Sequence, residues 1–378
     1  MRKILAALIF IAALSGTSWA NVLYTTDNGK LGIIGVQGVL SIDAPAVQYD
    51  GIGSNAFVAS FWNGHETRVI TVNRTSDDTV SGDTAFVFKS SKLSEPINRK
   101  GNTLKGIYNT QAAASSRNGR GLFIASRENA SIVELNTENL QPVRSYTYRA
   151  KSGDTEPHMQ GILMSYSNIY GLVEAGEAKS VFIRLDGQLK EHVRGTGKTS
   201  FDQEAASMSW LSGSRVAVAT SSGIGLIGYG GLNMQAETEN PAKSVCPDDG
   251  NGFYFITQEE SGETYISRLY HHYPVDDETA ETSEIYTNES GKNCQLLRFL
   301  NKSMIAAIAG DKILLLDSAT SEVLKEFDSN ALGGVPVSIA SDSVSGDSDD
   351  SSNGSCTLSG AGIFMLLAFA GIAVKCRK

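Results

Sequence analysis

The side chains that most often do chemistry in proteins are few in this sequence and match no familiar catalytic pattern. Five His and four Cys occur among 378 residues. His271 and His272 are neighbours, so on a strand they would face opposite ways and could not chelate one metal ion together. The sequence has no H-E-x-x-H, EF-hand or G-x-S-x-G spacing. It therefore predicts no catalytic residue, no metal site and no cofactor.

Two glycine motifs match phosphate-binding patterns only in part. Residues 223–228 read G-x-G-x-x-G, but further glycines follow where a dinucleotide-binding fold needs a helix. Residues 195–199 end like a P-loop, yet His192 stands where the first glycine belongs. Both segments are better interpreted as loops and strands than as nucleotide sites.

Two polar loops are the candidates for ligand binding, since loops at one mouth of a channel often bind ligands. Loop 61–66 carries Trp62 and His65 at a predicted hairpin tip. Loop 89–105 is locally basic and carries Arg99 and Lys100. Trp62 could equally pack within the fold, and the basic loop could simply be solvated.

A repeat of about 47 residues organises the chain between these motifs. Three apolar strands end in Leu and are followed by Asn136, Asp186 and Asp317, residue types that bond their own backbone in turns. Six steps separate Gln37 from Asp317. Short apolar segments before each turn, the first at 56–60, predict buried second strands. This period is that of a four-stranded propeller blade.

The first and last repeats predict how a ring of blades would close. The first has three strands, and the last leaves one strand at 334–340. Pairing that strand with the first three would complete a blade and remove the open sheet edge. We therefore predict an all-β fold, a seven-bladed β-propeller over residues 21–340 closed by its N- and C-terminal strands. An eight-turn solenoid and two β-sandwiches are the alternatives.

The rhythm of the repeat is similar to that of bacterial YVTN-type and quinoprotein-like propellers, which residues 316–320 echo. The tryptophan docking motif of quinoproteins is absent, so no quinone is expected.

Cys246 and Cys294 lie 48 residues apart, about one period, and both precede a second strand. We predict that they form a disulfide between adjacent inner strands in an oxidising compartment. Two buried thiols are the alternative.

Both ends of the chain lie outside the repeat. Residues 1–20 have a basic start, an eleven-residue apolar run and small residues before Asn21, which predicts a cleavable signal peptide. Residues 341–355, with seven Ser and four Asp, predict a disordered linker. Residues 358–374 carry no charge and precede a basic tail, which predicts a transmembrane helix with the body outside the cytoplasm.

The last segment, 356–378, resembles the C-terminal sorting domains of Gram-negative bacteria. Gly354, Ser355 and Cys356 stand directly before the apolar run, as in the Synerg-CTERM and MYXO-CTERM families. The resemblance implies cleavage near Cys356 by an intramembrane sorting protease, followed by attachment to a surface lipid. A plain single-pass membrane anchor is the alternative.

Charge and fold together favour a binding role. Residues 21–340 hold 27 Lys and Arg against 37 Asp and Glu, and this acidic balance argues against a nucleic-acid partner. We predict an exported, anchored binding or scaffolding module of the cell envelope for an unidentified protein or glycan, not an enzyme. A propeller hydrolase or lactonase is the alternative, and it requires two or more carboxylate or His side chains that converge on one channel mouth.

Overall fold

The computed structural model describes residues 20–37, 41–42, 46–76, 79–115, 121–164, 168–176, 179–191, 198–211, 215–228, 231–248, 250–262, 264–275, 279–289, 293–298 and 304–341. Apart from Ala20 and Ser341, the predicted signal peptide, linker, transmembrane helix and sorting segment lie outside these ranges. Within them, no helix has the length and apolar character needed to cross a membrane.

The described strands form seven antiparallel sheets, which we number as blades along the chain. Blade 1 holds β1 (Ala20–Thr26), β2 (Leu31–Gln37), β3 (Ser41–Ile42), β4 (Ala46–Tyr49) and the last strand, β29 (Pro336–Ser341). Blade 2 holds β5 (Phe57–Trp62), β6 (Thr67–Asn73), β7 (Gly82–Lys89) and β8 (Asn102–Lys105). Blade 3 holds β9 (Thr110–Ser115), β10 (Gly121–Ser126), β11 (Ser131–Asn136) and β12 (Pro142–Thr147). Blade 4 holds β13 (His158–Met164), β14 (Asn168–Gly176), β15 (Lys179–Asp186) and β16 (Lys198–Phe201).

The second half of the ring repeats this pattern. Blade 5 holds β17 (Ala205–Trp210), β18 (Val216–Thr220), β19 (Gly223–Gly228) and β20 (Gly231–Glu237). Blade 6 holds β21 (Ala242–Pro247), β22 (Phe253–Ser261), β23 (Thr264–Pro274) and β24 (Ala280–Asn288). Blade 7 holds β25 (Cys294–Arg298), β26 (Met304–Ala309), β27 (Lys312–Asp317) and β28 (Val323–Phe327). One short helix, α1 (Ser329–Leu332), leads from blade 7 to β29.

The ring closes as the sequence predicts. β29 pairs antiparallel with β1 and becomes the inner strand of blade 1. The inner strands β29, β5, β9, β13, β17, β21 and β25 contact one another in this order and surround the central axis, and β25 contacts β29 again. The protein is therefore a seven-bladed β-propeller. We call the end of the ring where the inner strands begin the upper face and the other end the lower face.

Side chains of the inner strands bond to the backbone of the next blade and so fix the ring. Ser338 Oγ accepts a hydrogen bond from the Val58 amide (2.9 Å), and Ser244 Oγ accepts one from the Leu296 amide (3.3 Å). These serines have no measurable exposure. Because a buried polar atom must find a partner, the short hydroxyl side chains hold neighbouring blades in register.

At the lower face, the side-chain oxygen of Asp317 accepts from the Ala319 amide (2.9 Å), which confirms the predicted turn chemistry.

The structure corrects the strand order predicted in blade 2. Segment 56–60 was predicted to be a second strand, but β5 is the inner strand and β6 is the second. The third strand, β7, was overlooked because it begins with the polar residues Gly82, Asp83 and Thr84. Asp83 is fully buried and accepts hydrogen bonds from the next blade, so a polar start does not mark a loop here.

The predicted disulfide is wrong: Cys246 and Cys294 are both buried thiols. They lie on adjacent inner strands, as expected, but not at equivalent positions. The hydrogen bond between Ser244 and Leu296 joins neighbouring positions on the inner strands of blades 6 and 7. These positions are 52 residues apart in the chain, four more than Cys246 and Cys294. Cys294 therefore lies level with Ala242, and Cys246 is three pairing steps further along β21, because Lys243 bulges out of the ladder. At ~3.3 Å per step this is about 10 Å along the strand direction. A disulfide tolerates a Cα separation of no more than about 7 Å.

Candidate functional site

An extra residue interrupts five of the seven inner strands close to the upper face. In each, one residue bulges out of the pairing with the second strand of the same blade. A bulge redirects the side chain of the extra residue. The bulged residues are Val337 in blade 1, Gln111 in blade 3, Gln160 in blade 4, Ala206 in blade 5 and Lys243 in blade 6.

The bulge at Gln160 joins a charged network between blades 3 and 4. Arg127 follows β10 and reaches across to blade 4, where its Nη1 donates to Gln160 Oε1 (3.0 Å). Arg127 Nη2 lies 3.5 Å from Glu174 Oε2, and Gln160 Nε2 donates to that same carboxylate oxygen. Arg127 Nε lies 3.9 Å from Glu128 Oε1. We call this group the Arg127 network; its members are Asn109, Gln111, Arg127, Glu128, His158, Gln160 and Glu174.

His158 is the first residue of β13 and pairs in register with Glu174. Its Nδ1 atom is buried and has no hydrogen-bond partner among the described residues. The nearest carboxylate oxygen is Glu128 Oε2, at 4.0 Å. A contraction of about 1 Å would convert this contact into a hydrogen bond, and catalytic contacts are often this long before a ligand binds. An orphaned buried nitrogen in a charged cluster requires an explanation.

The position of the network is set from blade 2 by Asp83. Asp83 Oδ2 accepts from the amide and hydroxyl of Thr110 (2.8 and 2.6 Å), and Oδ1 accepts from the Asn109 amide (3.1 Å). Burial raises the pKa of Asp83, while these hydrogen bonds oppose the shift. Asn109 adopts a left-handed conformation (φ 52°), and its Nδ2 donates to Glu128 Oε1 (2.8 Å). A chain of bonds thus runs from a buried aspartate to a carboxylate of the network.

The Arg127 network is partly open to solvent. The side chains of Arg127, Glu174 and His158 are each about a quarter exposed (24%, 24% and 23%). A guanidinium, two carboxylates, an imidazole and the amides of Gln111 and Gln160 therefore meet at one end of the inner strands. Such a set can bind a hydroxylated molecule, stabilise a developing oxyanion and move a proton. Within the described ranges, no three His, Cys, Asp or Glu side chains are placed to hold a metal ion.

A second polar network lies at the lower face, between blades 6 and 7. His271 Nε2 lies 3.0 Å from Asp248 Oδ2, and His271 Nδ1 lies 3.0 Å from Ser321 Oγ. The Tyr254 ring stacks on the imidazole at 4.2 Å, and its hydroxyl lies 2.8 Å from Ser321 Oγ. Burial raises the pKa of Tyr254 to about 12, so this hydroxyl stays protonated. We call Asp248, Tyr254, His271 and Ser321 the His271 network.

The His271 network has the residue types of a Ser-His-Asp triad but the features of a structural link. Both ring nitrogens of His271 are engaged, and Tyr254 also donates to the Ser318 carbonyl (3.1 Å). Ser321 has φ 63°, but Leu140 and Leu189 adopt the same conformation in the corresponding turns of blades 3 and 4. The conformation thus belongs to the repeat and gives no sign of local catalytic strain.

The neighbouring His residues face opposite ways, as predicted. While His271 joins the network above, His272 Nδ1 lies 2.8 Å from Thr282 Oγ1 and its ring stacks on Phe253. Asp248 also closes the hairpin turn predicted at this place, because its Oδ1 accepts from the Gly250 amide (2.8 Å).

The four predicted ligand-binding residues lie on blade 2 at the lower face. Trp62 is half-buried against the core, whereas His65 is exposed at the hairpin tip. Arg99 is 79% exposed and pairs with Glu95, and Lys100 is exposed. In the part of the chain that the structure describes, no hydrogen bond or ion pair joins Trp62 or His65 to Arg99 or Lys100. Their role in binding stays a prediction.

Inspection of the sequence alone missed the Arg127 network. Its residues are scattered from 109 to 174 and share no motif. One signal was available: Arg127 and Glu128 directly follow a strand predicted as the second of its blade. The structure places His158 as the first residue of the next inner strand, β13. In a propeller, the turn after a second strand and the start of the next inner strand meet at the same face. Combining the repeat with the positions of charged residues could have identified this group.

Several solved structures with the same fold match most of the length of this chain. No protein-family model matches the chain, and no curated protein sequence matches it. A provisionally assigned 6-phosphogluconolactonase from Bacteroides fragilis is 12% identical, with a TM-score of 0.60, covering 86% of this chain and 98% of its own. One from Bacteroides uniformis is also 12% identical, with a TM-score of 0.60 and coverage of 85% and 99%. The periplasmic gluconolactonase of Pseudomonas aeruginosa is 13% identical, with a TM-score of 0.56 and coverage of 84% and 98%. The body is therefore a seven-bladed propeller similar in fold to these lactonase-type proteins.

Proposed function

We propose that this protein is a lactone hydrolase whose active site is the Arg127 network. One observation carries the proposal: Arg127, two carboxylates and His158 converge at the upper end of adjacent inner strands. This is the arrangement that the hydrolase alternative requires and that a purely scaffolding ring does not need. The likeness to propellers with lactonase names is consistent with it but, at 12–13% identity, supports the fold alone.

The network offers groups suited to a lactone of a sugar acid. Such a molecule presents a ring ester carbonyl and several hydroxyl groups. Gln111 and Gln160 supply amide donors and acceptors, and both lie on bulges that turn them out of the strand pairing. Arg127 supplies the cationic donor for the carbonyl oxygen. Glu174 and Gln160 hold the guanidinium from one side, so Arg127 is oriented before substrate binds.

In the first step, His158 acts as the general base. Glu128 accepts a hydrogen bond from Nδ1–H after the 4.0 Å contact tightens, which leaves the lone pair of Nε2 for a water proton. The water oxygen attacks the carbonyl carbon as Nε2 takes its proton. The carbonyl oxygen becomes an oxyanion beside the Arg127 guanidinium, whose charge stabilises it.

In the second step, the ring opens. The oxyanion collapses to a carboxylic acid, the bond between the carbonyl carbon and the ring oxygen breaks, and the imidazolium returns its proton to the departing ring oxygen. The products are one carboxylic acid, which then ionises, and one alcohol in the same molecule, so water is the only co-reactant. Glu128 offsets the positive charge of His158 between the two steps.

We also propose that this chemistry takes place outside the cytoplasm, on an anchored protein. The composition of residues 1–20 and 341–378 supports this part of the proposal. The binding or scaffolding role expected for Trp62, His65, Arg99 and Lys100 stays open as a separate use of the lower face.

The test is hydrolysis of sugar lactones by the purified full-length protein. Aldono-δ-lactones and the slower-opening γ-lactones are followed by acid release in a pH-stat, with the spontaneous rate subtracted. We expect Arg127→Met to lower kcat/KM by about 10²–10³-fold, the usual loss for an oxyanion donor. Glu174→Gln should lower it by about 10–100-fold by releasing the guanidinium. A folded wild-type protein that does not accelerate opening of any of these lactones would contradict the proposal.

A further inference from the structure

We infer that the upper face selects uncharged lactones over phosphorylated ones and repels the acid that hydrolysis produces. This inference rests on the proposed function and concerns its substrate class. It is carried by the distribution of charge around the Arg127 network, and not by the network itself.

The connections between blades carry this charge. Each runs from the outermost strand of one blade to the innermost strand of the next and so crosses the upper face toward the axis. The four connections that lead into blades 5, 6, 7 and 1 hold five exposed carboxylates against one basic residue, Lys292, which lies outside the described residues. The five are Asp202, Glu204, Glu239, Glu289 and Asp328.

Three neighbouring groups of charge do not offset this acidic arc. The connection into blade 4 is neutral, since Arg149 and Lys151 stand against Asp154 and Glu156. The turn that carries Arg127 also carries Glu128. The half-buried Lys243, on the bulge of blade 6, is the one basic side chain that the inner-strand bulges supply.

Recognition of a phosphate group needs more positive charge than this. Proteins bind phosphate with several Arg or Lys side chains, or with backbone amides grouped at the start of a helix. Arg127 lies 3.5 Å from Glu174 and 3.9 Å from Glu128, so the charge of its guanidinium is already offset. The one helix within the described residues of this face, α1, has four residues, and Asp328 caps its N-terminus.

The same charges favour release of product. Ring opening converts a neutral lactone into a carboxylate on the face that carries these fixed negative charges, and charges of like sign repel. The neutral lactone is not repelled as it approaches, whereas the negatively charged product is repelled after it forms. The upper face therefore discriminates between substrate and product without contacting either. A phosphorylated lactone meets that repulsion before it reaches the network.

Paired substrates provide the test: gluconolactone and the same lactone with a phosphate on its terminal hydroxyl, each with purified full-length protein at low and high salt. We expect kcat/KM to favour the neutral lactone by about 30-fold or more in 20 mM salt, and by less than about 5-fold in 500 mM, because salt screens the repulsion. Glu204→Lys with Glu239→Lys should narrow the preference at low salt, whereas Lys243→Gln should widen it. Glu322→Lys, on the lower face, is the matched control and should leave the ratio unchanged.

The outcomes separate this inference from the proposed function. Equal hydrolysis of both lactones at low salt, or a ratio that salt does not change, overturns the inference and leaves the lactonase proposal standing. Failure to hydrolyse either lactone overturns the proposed function and the inference together.

Discussion

The two histidine networks of this propeller contain similar residues and differ in how completely they are bonded. At the lower face, His271 has a partner on each ring nitrogen and an aromatic ring stacked on it, and Tyr254 beside it is fully buried. At the upper face, His158 is about a quarter exposed, and its Nδ1 has no hydrogen-bond partner among the described residues. The first arrangement is complete without a ligand, whereas the second is not.

This difference shows that residue types alone do not identify a site. Asp248, His271 and Ser321 are the components of a hydrolytic triad, yet their hydrogen bonds link blade 6 to blade 7. The Arg127 network has no serine nucleophile, but its side chains are partly exposed to solvent and it carries a net charge. One of its atoms, His158 Nδ1, has no hydrogen-bond partner among the described residues. A group that is already fully bonded would have to lose stability in order to react, and this favours a structural role for the lower network.

The largest effect expected from the comparison is on catalysis. His158→Gln should lower kcat/KM for lactone hydrolysis by about 10²–10⁴-fold, the usual contribution of a general base. His271→Gln is the matched control and should leave kcat/KM unchanged, because the lower face takes no part in the reaction. Steady-state kinetics on the folded variants measures both. Comparable losses in the two variants would show that the networks have been assigned the wrong roles.

A smaller and opposite difference is expected in stability. His271→Gln removes a hydrogen bond to Asp248 Oδ2 or to Ser321 Oγ in a largely buried place, and we expect the free energy of unfolding to fall by about 1–3 kcal/mol. His158→Gln removes no hydrogen bond within the described structure and should change it by no more than about 0.5 kcal/mol. Chemical denaturation followed by tryptophan fluorescence compares them. A His158 variant as unstable as the His271 variant would argue that His158 is a structural residue.

The smallest effect concerns the two cysteine thiols, which report on the two ends of the inner strands. Burial raises the pKa of Cys294 to about 11, and alkylation requires the thiolate. At pH 8 only about one thiol in 10³ would then be ionised, and native labelling should accelerate roughly tenfold per pH unit toward pH 10. Mass spectrometry after iodoacetamide treatment measures this rate.

The same labelling extends the comparison between the faces. Cys246 pairs with Tyr254 in the sheet, next to the His271 network. His271→Gln should therefore increase labelling of Cys246 more than labelling of Cys294. If neither Cys246 nor Cys294 is labelled in the denatured, unreduced protein, the two residues form a disulfide after all.

The sequence predicted the ring well because the relevant signals are periodic and local. Apolar strands followed by Asn136, Asp186 or Asp317 define the blades, and these turns form as expected. The lone last strand and the three-stranded start predicted the closure by β29. The order within blade 2 was wrong because Asp83, a buried carboxylate, made the start of β7 resemble a loop.

The candidate site could not be predicted in the same way. Arg127 and Glu174 are 47 residues apart, and only the packing of blade 3 against blade 4 brings them together. The bulge that redirects Gln160 depends on the register between β13 and β14 and has no residue signature. The disulfide prediction failed for a related reason, since it assumed that blade 6 has the average length.

The pairing of β29 with β1 has a consequence for how this protein is made. The two strands are separated by more than 300 residues in the chain, so blade 1 cannot be completed until all the other blades have been synthesised. Until then β1 has an unpaired edge able to pair with other chains. The closing contact also has the largest sequence separation in the fold, which slows its formation. The six other blades can assemble from local contacts, but the ring as a whole matures only after the last strand arrives.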